Sequence, residues 1–216
     1  MDESSTPATS DRPCGQPGGN LPRRSRLHAM HADPHGPPRP RIRIYIGDVV
    51  ACAEPAILQT LLGSCVAVCL RDPVSRVGGM NHILLPGDSN QGRASRFGVH
   101  AMELLINALM QRGADRRRLV AKAFGAANVV AALRSPTVGD QNAIFVREFL
   151  ARERIPLVAN RLGGTHAVQI HFTTDTGRTI VHTVDGSRLP IILEAETTYR
   201  SSHFADEDFS GEVSLF

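Results

Sequence analysis

The sequence lacks the features that mark membrane, secreted and nucleic-acid-binding proteins. No apolar run in the chain reaches the roughly 18 residues that a membrane-spanning helix needs. The N-terminus has no apolar stretch of the kind that a secretory signal contains. The net charge of +3 over 216 residues is too small to indicate a nucleic-acid partner. We therefore expect a cytoplasmic globular protein that neither binds nucleic acid nor inserts into a membrane.

Cysteine is scarce, and its spacing argues against a metal site. The four cysteines are Cys14, Cys52, Cys65 and Cys69. Without an export signal, they are predicted to be reduced thiols. No C-x-x-C pair is present, and Cys65 and Cys69 have no second ligand pair at zinc-finger spacing. The sequence therefore predicts no metal site and no cofactor.

The composition divides the chain into three parts. Residues 1–41 contain more than half of the 14 prolines, and Ser, Gly and Arg make up much of the remainder. Such a segment cannot bury enough apolar surface to offset its ordering entropy, so a disordered leader is predicted. We expect the globular domain to occupy residues 42–190. Residues 191–216 are interpreted as a C-terminal tail, partly acidic.

Hydrophobic periodicity predicts alternating strands and helices in the domain. Strands are expected over 42–46, 119–124, 155–159, 167–172 and 178–184, besides a hairpin between residues 62 and 86. Amphipathic patterns predict helices over 99–112 and 141–153, and a polar, Gly-rich stretch predicts a loop over 87–98. Hairpins combined with two main packed helices favour an α/β fold, a layered α/β sandwich with a mixed, mostly antiparallel sheet.

The hairpin carries a cysteine on one strand and a histidine on the other. A turn centred on Pro73 and Val74 would place Cys65 directly across from His82, with Cβ atoms roughly 4.5–5.5 Å apart. At that separation an imidazole can accept the proton of a thiol and increase the fraction of thiolate, which is the attacking species. The pair therefore predicts a nucleophile and a general base.

The two residues before the cysteine fit the same chemistry. Gly63 lets the backbone turn sharply and approach a substrate closely, and Ser64 shapes that turn. Amide N–H groups at Cys65 can then stabilise a developing oxyanion. The predicted reaction is acyl transfer through a thioester, and a carboxamide substrate would release ammonia. From the residues alone, a cysteine and a histidine that merely fill the core remain the alternative.

The same stretch resembles a known protein family. The sequence L-G-S-C-V-A-V-C-L-R-D-P, followed by G-G-M-N-H-I-L-L-P, is similar to the signature of the CheD family of bacterial chemoreceptor glutamine deamidases. The similarity continues through R-F-G at 96–98, A-K-A-F-G-A-A at 121–127, G-D-Q-N at 139–142 and I-P-L-V-A at 155–159. It covers residues 42–185, nearly the whole predicted domain.

The resemblance implies an activity and a set of site residues. The activity is hydrolysis of glutamine side chains to glutamate on methyl-accepting chemotaxis receptors, whose cytoplasmic helices would be the partners. The nucleophile is carried onto Cys65 and the base onto His82. The third catalytic residue of the family is a threonine shortly before the cysteine. The nearest one is Thr60, whereas some members place it where this chain has Gln59. A threonine hydroxyl would fix the tautomer of the imidazole.

Two further residues in the similar motifs are weaker candidates for substrate binding. Asn81 could orient the substrate or His82, and it could equally make a structural hydrogen bond at a turn or strand edge. Arg96 could contact an acidic receptor helix.

Two other functions remain open at this point. The family is also implicated in binding a CheC-type phosphatase, so the chain could be a non-catalytic regulatory binding module for receptors or for that phosphatase. A transglutaminase or a protease would share the thioester route and differ in what accepts the acyl group. Because binding alone does not require Cys65 and His82 together, their presence favours the deamidase.

Overall fold

The computed structural model describes residues 39–85, 91–129 and 137–204, with the backbone alone for 91–95. The strands are β1 (Arg41–Arg43), β2 (Val49–Cys52), β3 (Ile57–Leu62), β4 (Val66–Arg71), β5 (Gly78–Ile83), β6 (Val120–Gly125), β7 (Leu157–Leu162), β8 (Val168–Thr173) and β9 (Thr179–Thr183). The α-helices are α1 (Gln91–Met110), α2 (Val138–Arg152) and α3 (Leu189–His203). Nearly all of the predicted leader lies outside the described residues.

The strands form two sheets that pack against each other. One has the order β1-β3-β8-β9, and the other has the order β2-β5-β4-β6-β7. Neighbouring strands are antiparallel except in the pairs β1–β3 and β6–β7, which are parallel. The prediction of a layered α/β fold with mixed, mostly antiparallel pairing is therefore confirmed, with the strands divided between two sheets.

Strand β4 lies in the middle layer, and both of its faces are buried. Val66 and Val68 belong to one apolar core together with Leu105 of α1. The alternate residues Ala67 and Cys69 belong to a second core, formed with β3 and β8 of the other sheet. The layers therefore run from α1 and α2 through the five-stranded sheet to the four-stranded sheet.

Helix α2 begins at a side-chain cap. The Thr137 hydroxyl oxygen accepts a hydrogen bond from the backbone N–H of Asp140 at 3.1 Å, and the Asp140 carboxylate accepts from the backbone N–H of Thr137 at 2.9 Å. This reciprocal pair satisfies donors at the first turn. The helix therefore starts at Val138, three residues before the predicted position.

The register of the Cys/His hairpin differs from the predicted one. Ala67, not Cys65, pairs with His82, and Cys65 directly precedes β4. The turn is longer because Arg76 adopts a left-handed φ of 62° and the Asp72 N–H bonds the Val77 carbonyl at 2.9 Å. The predicted direct pairing of Cys65 with His82 is therefore wrong. The shift is two residues, and since strand side chains alternate with a period of two, the cysteine and the histidine still face the same side.

Several other local predictions need correction. Helix α1 begins at Gln91, so the prediction of a loop is wrong over residues 91–98. Gly and Ser have weak helix propensity, but this is offset because Phe97 packs against the core. Strands β2 and β3 were not predicted as separate strands, and no helix was predicted after Pro190, which occupies the first turn of α3.

None of the helices in the described ranges is long and apolar enough to span a membrane.

Two cysteines of the described residues meet the expectation. Cys65 and Cys69 are both buried free thiols, as predicted.

Candidate active site

A cavity of about 850 Å³ lies between the sheets and helix α3. Its walls include Thr60 of β3, Cys65 before β4, and His82 of β5. Helix α3 closes the opposite side with Ile192 and Glu196. The fold thus brings the three residues that the sequence singled out into one cavity, although they come from two different strands and a loop.

A buried hydrogen bond sets the tautomer of the histidine. The Thr60 hydroxyl donates to the carbonyl of Ile44 at 2.7 Å, so its oxygen accepts from Nδ1 of His82, 2.8 Å away. With the proton on Nδ1, the lone pair of the ring is on Nε2. Nε2 is buried and has no hydrogen-bond partner among the described residues. It is therefore the nitrogen that can accept a proton from a thiol.

The loop before β4 presents the backbone N–H of Cys65 to the cavity. Asn142 on α2 is fully buried; its side chain donates to the Ser64 carbonyl at 2.9 Å and accepts from the Leu85 N–H at 3.1 Å. The C=O and N–H of a trans peptide point in opposite directions. The bond to Asn142 therefore directs the Cys65 N–H away from α2, which is the orientation that an oxyanion hole requires.

A carboxylate from α3 stands directly in front of the cysteine. Oε1 of Glu196 accepts hydrogen bonds from the backbone N–H of Ser64 at 2.9 Å, the N–H of Cys65 at 3.2 Å and the Cys65 thiol at 3.2 Å. A Cβ atom on Gly63 would lie 2.9 Å from this oxygen and 2.7 Å from Cγ2 of Ile192. The absence of a side chain at position 63 therefore lets Ile192 and Glu196 approach this closely, and any larger residue would push these two side chains aside.

Burial keeps both the thiol and the imidazole neutral. Desolvation raises the pKa of Cys65 well above its usual value. The negative charge of Glu196 and the hydrogen bond that the thiol donates to it raise this pKa further, whereas the positive charge of Arg200 lowers it. Desolvation also lowers the pKa of His82 to about 4. At neutral pH the thiol therefore keeps its proton and donates a hydrogen bond to Oε1 of Glu196.

The two weaker candidates, Asn81 and Arg96, do not line this cavity. Asn81 is on the opposite face of β5, where its side chain accepts from the Val68 N–H at 3.2 Å and donates to the carbonyl of Ala101 at 3.2 Å. Arg96 is exposed on α1, away from the cavity walls. Gln59 contributes to the wall, but the hydroxyl that bonds His82 belongs to Thr60.

The described part of the chain contains no group of three or more His, Cys, Asp or Glu side chains placed to hold a metal ion.

Comparison with known proteins identifies the family. The family model for CheD chemotactic sensory transduction matches residues 84–183. A probable chemoreceptor glutamine deamidase CheD from Stenotrophomonas maltophilia (strain K279a) is 48% identical over 168 residues, which cover 76% of this chain and 82% of that protein. The chain belongs to the CheD family. A second CheD protein, from Agrobacterium fabrum, is 46% identical over 160 residues, covering 73% of this chain and 87% of its own length.

The residues matched by the CheD family model do not include most of the candidate site. It begins after Cys65 and His82 and ends before α3. The evidence for how these residues are arranged is therefore the distances and hydrogen bonds of the structure, not the family model.

Sequence reasoning missed two residues at the site, Glu196 and Asn142. For Glu196 a weak signal existed, because Ile192, Glu196 and Tyr199 follow one another at the i, i+4, i+7 spacing of one helix face. For Asn142 no local pattern could reveal that its amide would join Ser64 to Leu85.

Proposed function

We propose that this CheD chain is a protein-glutamine deamidase that hydrolyses glutamine side chains of chemoreceptors to glutamate and releases ammonia. The observation that carries the proposal is the 2.8 Å hydrogen bond between Thr60 Oγ1 and His82 Nδ1. It leaves Nε2 as the basic nitrogen in the cavity that also contains Cys65. The substrate class comes from the relatives, which are named chemoreceptor glutamine deamidases.

The first half-reaction forms a thioester. Nε2 of His82 takes the proton of the Cys65 thiol, and the thiolate attacks the amide carbon of the substrate glutamine. The carbonyl oxygen becomes an oxyanion, which accepts hydrogen bonds from the backbone N–H groups of Ser64 and Cys65. When the intermediate collapses, the C–N bond breaks and His82 returns its proton to the departing nitrogen, which leaves as ammonia.

The second half-reaction uses the same groups in reverse. His82 takes a proton from a water molecule, which attacks the thioester carbon, and the same backbone N–H groups stabilise the second oxyanion. The C–S bond then breaks, the Cys65 sulfur regains a proton, and the substrate leaves as a glutamate. Thr60 contributes through His82, since it keeps the Nδ1 proton in place throughout.

The proposed partners are the cytoplasmic helices of methyl-accepting receptors, which also suits a location in the cytoplasm. A CheC-type phosphatase is a further proposed partner. A non-catalytic regulatory module is the alternative function. The buried Thr60–His82 hydrogen bond favours an enzyme. It fixes the tautomer of a histidine in the cavity wall, and this matters for proton transfer but not for binding another protein at the surface.

Mass spectrometry of a receptor cytoplasmic domain tests this proposal. After incubation with the full-length protein, each converted glutamine should gain about one mass unit, since –NH₂ is replaced by –OH through the thioester. The Cys65→Ala variant should produce no gain. The matched control is Cys69→Ala, which removes a buried thiol on the same side of β4 and should retain activity. Equal conversion by wild type and Cys65→Ala would contradict the proposed nucleophile.

A further inference from the structure

Helix α3 brings to the nucleophile the same chemical group that the proposed reaction produces. Deamidation turns a glutamine side chain into a glutamate carboxylate, and Glu196 presents such a carboxylate to Cys65. Its Oε1 lies 3.2 Å from the Cys65 Sγ atom and 3.2 Å from the Cys65 backbone nitrogen. These are the groups that would attack a substrate amide and stabilise its oxyanion. Glu196 therefore occupies the position that the substrate amide requires.

Additional contacts hold the carboxylate there. The Ser64 hydroxyl donates to Oε2 of Glu196 at 2.6 Å. Ile192, one turn earlier on α3, is 4% exposed and packs against Gly63, which has no side chain to keep the helix away. In this arrangement Cys65 is 1% exposed. A substrate side chain cannot reach the sulfur atom until α3 moves.

The attachment of α3 to the rest of the molecule is limited. Ile192 and Glu196 are the buried residues of this 15-residue helix, and the neighbouring Ile191 is 63% exposed. Beyond the helix end, Phe204 contacts Phe97 edge-on, with ring centroids 5.2 Å apart. A segment that buries few apolar side chains can open locally without global unfolding. Helix α3 can therefore leave the site while the two sheets and their cores stay intact.

We propose that α3 is an autoinhibitory element, in which Glu196 imitates the reaction product and blocks Cys65 until the helix is displaced. This inference depends on the proposed deamidase function and concerns its regulation. Displacement has two effects on the nucleophile. It opens access to the sulfur atom, and it removes the carboxylate that raises the pKa of the thiol. In the resting protein the nucleophile is therefore inaccessible, and a substrate must compete with helix α3 of the enzyme for the position in front of Cys65.

A thiol-labelling experiment tests the closure without any receptor. Full-length wild type and Glu196→Ala are treated with iodoacetamide under native conditions, and peptide mass spectrometry follows the labelling of Cys65 with time. We expect labelling to be at least about tenfold faster in Glu196→Ala, because hydrogen bonds to a charged group typically shift an equilibrium by that factor or more. Ile192→Ala, which weakens the same helix without a change of charge, should also label faster.

Two controls separate helix release from other effects. Glu194→Ala removes an exposed carboxylate from the same helix and should label at the wild-type rate. Cys69, buried inside the core, should stay unlabelled in every variant, which excludes global unfolding as the cause. Equal labelling of Cys65 in wild type and Glu196→Ala would overturn the inference.

The receptor assay then separates this inference from the proposed function. Faster labelling together with faster receptor deamidation by Glu196→Ala supports both. Faster labelling with the same non-zero deamidation rate as wild type would overturn autoinhibition and leave the deamidase intact. Faster labelling with no deamidation by either protein would contradict the deamidase, while α3 would still be supported as the cover of Cys65.

Discussion

Single residues in this protein differ in role because of what they contact, even when their chemistry is the same. Cys65 and Cys69 are both buried free thiols on one side of β4. Desolvation raises the pKa of both. Cys65, however, borders the cavity and bonds a carboxylate, whereas Cys69 lies in the core with Lys122 as the nearby charge that opposes its shift. Position relative to the cavity therefore makes Cys65 the proposed nucleophile.

Removal of the Thr60 hydroxyl should impair turnover more than folding. In Thr60→Val the shape is retained but the acceptor for the His82 Nδ1 proton is lost, so the ring can adopt the wrong tautomer or orientation. We expect kcat for receptor deamidation to fall by up to about a hundredfold, the cost of a misplaced catalytic group. Thr60→Ser should recover most of the rate, because it restores the hydroxyl. A Thr60→Val enzyme with wild-type kcat would argue against this positioning role.

Conversion of Glu196 into a substrate provides a second test at the same scale. In Glu196→Gln a carboxamide is held where Oε1 now lies, 3.2 Å from the Cys65 sulfur. We expect the chain to deamidate itself at position 196 through a thioester, with a gain of about one mass unit in that peptide over time. The double variant Cys65→Ala/Glu196→Gln should keep its glutamine. Persistence of the glutamine in the single variant would mean that the side chain is not held in a reactive position.

Among the elements, the β4–β5 turn is held by a buried charge. The Asp72 carboxylate is fully buried and accepts hydrogen bonds from the Arg118 guanidinium at 2.6 Å and from the Val74 and Asp115 N–H groups at 2.9 Å each. The Arg118 hydrogen bond is the main reason that the pKa of Asp72 lies well below its usual range. These contacts lengthen the turn and produce the register in which His82 pairs with Ala67.

Loss of this charge should destabilise the fold in a pH-dependent way. We expect Asp72→Asn to lower the free energy of unfolding at pH 7 by about 2–3 kcal/mol, because Arg118 loses a buried partner. Since the folded pKa of Asp72 is depressed, its contribution is fully present above the unfolded pKa of about 3.9, decreases as pH falls below that value, and is lost once pH has fallen through the folded pKa. The difference between variant and wild type should therefore shrink near pH 3.

Urea unfolding at both pH values measures this difference. Asp185→Asn, at an exposed cap of a short 3-10 helix, is the matched control and should change stability little. A difference that is constant between pH 7 and pH 3 would show that Asp72 does not act through its charge.

Across the whole molecule, the layers differ in how firmly they are held. The two sheets and helices α1 and α2 enclose two continuous apolar cores. Helix α3 covers the end of this structure and contributes Ile192 and Glu196 as its buried residues. The molecule therefore combines a rigid scaffold, which positions Cys65 and His82, with an element that opens more easily.

Hydrogen exchange should detect this difference directly. We expect the backbone amides of α3 to exchange much faster than those of α2 and β4, since local opening of a helix with few buried side chains costs less than global unfolding. Helix α2 is the matched control, because it also has 15 residues but packs into the core. Addition of a receptor cytoplasmic domain should increase exchange in α3 further. Protection of α3 equal to that of α2 would contradict a displaceable helix.

The local pattern of the sequence determined much of the fold and the type of chemistry. Alternation indicated β8 and β9, and an apolar run indicated the buried strand β6. Helical spacing indicated α2 and most of α1, and the residues around Cys65 and His82 indicated a thiol and a base. These features were predictable because periodicity reports which side of a segment is buried, and that depends on neighbours within a few residues.

Only the tertiary structure decided which groups meet. It showed that Thr60 contacts His82, that Asn81 faces α1 and away from the cavity, and that a carboxylate of α3 bonds Cys65. The last contact joins residues separated by 131 positions in the chain. No local pattern encodes such a contact, because it depends on the hairpin register, the packing of two sheets and the path of every segment between the two residues.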